Sequence, residues 1–173
     1  MESEDELRQL LAGGDRRSLG AANEIVSLIK GTGPLVDALI QLMTDDDPVV
    51  SMRAADAFEK ASRENPGILR EHKSALLRRI AENAQQEVRW HFLQILPRLM
   101  LTPAERGQAF EVAADSLDHD SRIVVADALS AMFKLSIGDA VLEERAKYHA
   151  TLLLSSPSAA VRTRAKKLLV AGR

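Results

Sequence analysis

The chain has 173 residues, 46% hydrophobic and 28% charged, with a formal net charge of −2, so it can bury the core of one domain and offers no global attraction to nucleic acid or an anionic membrane. The absence of cysteine excludes disulfides, thiolate metal sites and thiol catalysis. The acidic start Met1-Glu2-Ser3-Glu4-Asp5-Glu6 is unlike a signal peptide, and no apolar run approaches the ~18 residues of a membrane span, so a cytoplasmic protein with no membrane partner is expected.

Apolar residues three and four apart, frequent alanine and no strand-like alternation predict helices alone, near 4–12, 17–30, 34–44, 48–64, 68–83, 86–100, 103–117, 121–136, 139–154 and 157–171. Their boundaries follow from local chemistry. Ser3-Glu4-Asp5-Glu6 has the pattern of a capping box, and Gly31 and Gly33 with Pro34 punctuate the next helix end. Asp47-Pro48 pairs an N-cap with a proline at the first helical position, and Asn65-Pro66-Gly67 ends that helix. Pro97 removes one backbone bond and should kink the last turn of its helix. Thr102-Pro103-Ala104-Glu105 is a capping box with proline at the first helical position, and Ser156-Pro157 repeats the cap-and-proline pair.

A common register underlies five of these helices. With Ser18, Val50, Val88, Val124 and Val161 as position one, starts recur 32, 38, 36 and 37 residues apart, the period of stacked structural repeats. Position five is Ala22, Ala54, Phe92, Ala128 and Ala165; position eight is Ile25, Ala57, Ile95, Ala131 and Leu168; position nine is Val26, Phe58, Leu96, Met132 and Leu169. Position twelve adds Ile29, Ala61, Leu99 and Leu135, failing only at Gly172. These positions form one apolar stripe per helix. The helices between them carry Leu39-Ile40, Leu76-Leu77 with Ile80, Phe110 and Leu152-Leu153 as facing residues, so each repeat is a helix pair.

The stretch Asp47-Pro48-Val49-Val50-Ser51-Met52-Arg53-Ala54-Ala55-Asp56-Ala57-Phe58 resembles the second helix of a HEAT repeat, and Val88-Arg89 and Val161-Arg162 add the Val-Arg pair that this family favours. Ser18-Leu19 departs from that pair in the first repeat. The resemblance implies an all-α, right-handed α-solenoid of about five antiparallel helix pairs in one domain, 1–173, with repeats near 1–31, 32–65, 66–101, 102–137 and 138–173. It also implies that the second helices line a concave face.

On that face, positions three, four, seven and eleven would stay outside the stack. They supply Arg53, Lys60, Arg98, Lys134, Arg164 and Lys167 as a stripe of cations, with Trp90 and His91 beside them. Such a stripe can clasp an acidic peptide or neutralise phosphates, and an indole can anchor a partner or stack on a base. The same residues also suit a solvated helix face, interrupted by Glu24, Asp56 and Asp127, and Trp90 could equally pack across the ridge. Some HEAT-like proteins are DNA glycosylases with an aspartate one turn beyond a groove tryptophan. Here that position is Gln94, and there is no second tryptophan.

His72, His91, His119 and His149 stand singly, without a second histidine one turn away to share a metal. Asp45-Asp46-Asp47 and the Asp115–Asp120 run lack the glycine and terminal glutamate of a calcium loop, and are expected to cap the helices that follow. No phosphate cradle or nucleophile elbow occurs. The reading is a non-enzymatic, monomeric scaffold without cofactor or metal, binding a protein partner through the eight stripe residues. Nucleic-acid binding through the same cations is the alternative, and an enzyme or lyase-like subunit of the superfamily the third reading.

Overall fold

The computed structural model describes residues 4–13, 22–29, 33–82 and 85–172. Within them lie ten α-helices and no strand: α1 (Glu4–Leu11), α2 (Ala22–Leu28), α3 (Gly33–Leu42), α4 (Pro48–Glu64), α5 (Gly67–Glu82), α6 (Gln86–Ile95), α7 (Pro103–Asp115), α8 (Arg122–Leu135), α9 (Ala140–Leu153) and α10 (Ala159–Ala171). Ser3, Ser18, Ala21 and Gly31, on which parts of the first-repeat reading rest, lie outside the described residues, as does the side chain of Ile80. The chain divides into two compact units, Met1–Met100 and Leu101–Arg173, parted where a repeat boundary is expected.

In the first unit α4 is the hub, packing against α1, α2, α3, α5 and α6; in the second, α8 packs against α7, α9 and α10. The register explains why these helices are central. Val50, Val88, Val124 and Val161 at position one are all buried, as are Ala54, Phe92, Ala128 and Ala165 at position five. Ala57, Ile95 and Ala131, then Phe58, Leu96 and Met132, continue the buried stripe; only Leu168 and Leu169 of α10 are half-buried. Burying a side chain the size of leucine or phenylalanine stabilises by about 1.5–3 kcal/mol, and alanine between them lets the helices approach closely. In the second unit Leu129, Ala150 and Ala165 form the centre on which Leu117, Phe133, Leu153, Leu168 and Leu169 pack.

Most boundaries follow the local chemistry, and some depart from it. Asp47 Oδ1 accepts from Val49 N at 2.8 Å at the start of α4, and Thr102 and Glu105 form a complete capping box on α7. Between α8 and α9, Gly138 sits at φ +80°, in the left-handed region where a Cβ is strained. Pro97 terminates its helix where a kink is expected: α6 ends at Ile95 and a 3-10 turn, Leu96–Arg98, takes over, because proline has no N–H to continue the ladder. The helix expected to 117 likewise ends at Asp115 and tightens into a 3-10 turn at Ser116–Asp118. Ser158, past Pro157, is the N-cap of α10, while Ser156 Oγ accepts from Ser158 N at 3.2 Å and shapes the turn before it. The acidic run before α8 does not cap it: Ser121 is the N-cap without a side-chain bond, and His119 Nδ1 accepts from Ser121 N at 2.9 Å.

Candidate functional site

The first unit uses most of its candidate cations internally. Arg53 is only 2% exposed, contrary to an outward position four. Its Nη1 donates to Leu11 O at 2.7 Å, on the last residue of α1, and to Gly13 O at 2.6 Å, two residues beyond. Helix C-termini leave carbonyls without intrahelical donors, and this guanidinium supplies one. Arg53 therefore ties α1 to α4 and presents no charge to a partner.

Lys60 and His91 converge on one carboxylate. Lys60 Nζ donates to Asp56 Oδ2 at 2.7 Å along α4, and His91 Nε2 on α6 stands 4.0 Å from Asp56 Oδ1. The half-buried Trp90 ring tilts at 57° to His91, with centroids 5.6 Å apart. These four residues form a small aromatic and polar surface whose charge is largely matched.

Arg98 meets a residue that the stripe did not include. Glu59, at position ten of α4 and 2% exposed, takes both Arg63 Nε at 2.7 Å and Arg98 Nη2 at 2.9 Å. Burial lowers the Arg98 pKa and Glu59 opposes that shift. The other described second helices place serine, proline, phenylalanine and valine at position ten, so only the bare presence of a carboxylate in the register marked Glu59. Arg98 is thereby a packing cation, its fork turned into the unit.

The second unit differs. Lys134 on α8 and Arg164 and Lys167 on α10 are all exposed. Arg164 Nη1 donates to Ser130 Oγ at 2.9 Å, while that hydroxyl donates to Ala126 O at 2.7 Å. A hydroxyl fixes the guanidinium without neutralising it. Among the described residues none of these three cations has a carboxylate within ion-pairing distance. Of the other cations of this unit, Arg162 Nη1 donates to Ser156 O and Pro157 O at 2.7 and 3.0 Å, and Arg145 pairs with Glu111 at 2.6 Å while lying 4.8 Å over Phe110; Arg122, Lys147 and Lys166 are exposed like the three candidates. An open depression runs along α10, lined by Ala159, Ala160, Thr163, Arg164, Lys167, Leu168 and Ala171.

One polar contact recurs between second helices. Position four of one helix reaches position seven of the helix before it, His91 to Asp56 in the first unit and Arg164 to Ser130 in the second. The eight candidates thus do not form one stripe. Three are exposed and unneutralised in the second unit, three cluster about Asp56 in the first, and two are absorbed into packing.

Among the described residues no group of histidine and carboxylate side chains could hold a metal ion, and no helix is long and apolar enough to cross a membrane. The curated proteins contain no match to this chain. Among solved structures it is similar to computationally designed armadillo repeat proteins for modular peptide recognition, with TM-score 0.58 and 18% identity over 98% of this chain and 82% of that one. A second designed armadillo repeat protein matches at TM-score 0.42 and 15% identity, over 99% of this chain and 100% of that one. The model of the HEAT repeat domain matches residues 9–136. With the buried register, the helix pairs and that match together, this all-α repeat solenoid belongs to the HEAT repeat family.

Proposed function

We propose that this chain is a non-enzymatic scaffold that holds a protein partner on the second helices of its repeats. The observation that carries the reading is the set Lys134, Arg164 and Lys167: exposed, of one sign, unneutralised among the described residues, and carried on two helices whose packed stripes fix them in place. Three like charges in this arrangement repel one another and contribute nothing to the core, which is how a surface built for an opposite charge differs from one built for stability. Trp90, His91 and Lys60 form a second candidate surface in the first unit, where a half-buried indole offers an anchor. A designed chain of similar fold, made for modular peptide recognition, supports the use of such helices for binding. A rigid framework loses little entropy on association, so a few anchors suffice.

The test is capture of partners by the immobilised full chain from its native cell, read by mass spectrometry with excess free chain as competitor. Charge reversal by Lys134→Glu with Arg164→Glu should abolish competed capture while the thermal midpoint stays nearly constant, since exposed charges add little stability. Undiminished capture by the double variant would remove the α8 and α10 surface from the reading. Absence of any competed protein would remove the scaffold itself.

A further inference from the structure

The α10 surface holds more information than the sign of its charge. α10 carries Arg162, Arg164, Lys166 and Lys167 and no Asp or Glu at all, in a chain whose net charge is −2. Position in the helix divides those four cations into two kinds. Arg162 is turned back onto the carbonyls of Ser156 and Pro157. Arg164 and Lys167 are one turn apart and share the depression on α10, and Arg164 is held toward α8 by Ser130. Lys134, exposed one turn after Ser130 on α8, does not line the depression but adds a third positive charge on the helix to which Arg164 is held.

The lining between these cations is small or apolar: Ala160, Thr163 and Ala171 with half-buried Leu168. Alanine leaves room for a backbone to lie close to the helix, and Leu168 with the alkyl stems of Arg164 and Lys167 gives apolar side chains something to cover. A nucleic acid would use this surface poorly. No aromatic residue lines it to stack a base, three cations neutralise few phosphates, and the chain as a whole is net negative.

We infer that this depression is a docking site for an acidic peptide segment of a partner, whose carboxylates bond to Arg164, Lys167 and Lys134 and whose apolar side chains lie over Leu168 and the alanines. The inference rests on the scaffold reading and names the partner's chemistry. Arg164 is the bidentate contact, because Ser130 occupies only one of its nitrogens and guanidinium geometry matches a carboxylate. Ser130 is a positioning residue: its hydroxyl proton is committed to Ala126 O, which leaves its oxygen facing Arg164.

The test uses the full chain and a fluorescein-labelled synthetic peptide alternating glutamate with leucine and glycine, followed by anisotropy at ~50 and ~150 mM salt. The same peptide with glutamine for glutamate and a single-stranded DNA of similar length are run beside it. The acidic peptide should bind saturably and the glutamine peptide should not. Lys134→Gln with Lys167→Gln should weaken binding by about 10-fold or more, a loss of ~1.4 kcal/mol. Lys147→Gln with Lys166→Gln, which changes net charge equally but alters exposed positions outside the depression, should leave it unchanged. The inference is overturned if the acidic peptide does not bind, if the glutamine peptide binds as well, if both double variants act alike, or if the DNA binds more tightly at ~150 mM salt. Partner capture that survives while the peptide fails would sink the acidic-segment inference and keep the scaffold; failure of both would sink both.

Discussion

Arg53, His91 and Arg164 occupy the same register position, yet one is buried, one half-buried and one exposed. The helix approached from position four decides the outcome. Arg53 meets carbonyls at the C-terminal end of α1, which accept its hydrogens and make burial of the guanidinium affordable; Arg164 meets only the Ser130 hydroxyl of α8. Removing Arg53 therefore leaves the Leu11 and Gly13 carbonyls short of a donor. Arg53→Ala should cost about 1–3 kcal/mol in a denaturant titration, and α1 amides should lose hydrogen-exchange protection before those of α6. A variant with wild-type stability and an unchanged exchange pattern would show that Arg53 does not fasten α1. Glu59 teaches the converse: a carboxylate buried against two guanidiniums cannot lose one partner without cost, so Arg98 is a poor choice for probing partner binding.

At the scale of elements, α8 and α10 share a design and differ in one face. Positions two and six are Val125 and Leu129 on α8, both buried, and Arg162 and Lys166 on α10, the first half-buried and the second exposed. Where α8 offers an apolar flank to its neighbour, α10 offers charge. A flank of this kind does not accept another apolar repeat, as capping repeats require, and a monomer follows as a proposal. Light scattering at micromolar concentration should return the mass of one chain. Arg162→Val with Lys166→Leu rebuilds the α8 pattern on α10 and should raise the apparent mass as concentration increases. Association of the wild type would contradict the capping role, and a double variant that stays monomeric would show that charge on this flank is not what prevents stacking.

For the whole molecule, each unit holds a carboxylate below its ordinary range. Burial pushes the Asp45 carboxyl up, but hydrogen bonds from Arg8 and from the Asp47 amide hold it lowered overall. The hydrogen bond from Arg145 lowers Glu111, with burial opposing. A carboxyl depressed in the folded state stabilises fully above its unfolded pKa, near 4, and loses that contribution as pH falls through the folded value. The urea midpoint should therefore hold from about pH 7 to 5 and fall below about pH 4. Asp45→Asn with Glu111→Gln should shrink that fall, because neither residue then binds a proton differently on folding; equal falls in both proteins would place the acid sensitivity elsewhere. Both pairs are on or near the surface, so the effect is a modest share of the total.

The apolar period, the proline and cap chemistry at Asp47-Pro48 and Thr102-Pro103, and the alanine-rich stripes determined from sequence that this is an all-α chain of repeated helix pairs, because each depends on residues within a few turns of one another. Val50, Ala54, Ala57 and Phe58 were legible as core for the same reason. Which cations remain free was not legible, since that depends on groups far away in the chain: Arg53 is consumed by carbonyls about forty residues earlier, Arg98 by a glutamate on another helix, while Lys134 and Lys167 find no acid at all among the described residues. Helical periodicity assigns a side chain to a face, but only the tertiary structure supplies what that face meets, and with it the desolvation and hydrogen bonding that turn a charge into either a structural tie or a docking contact.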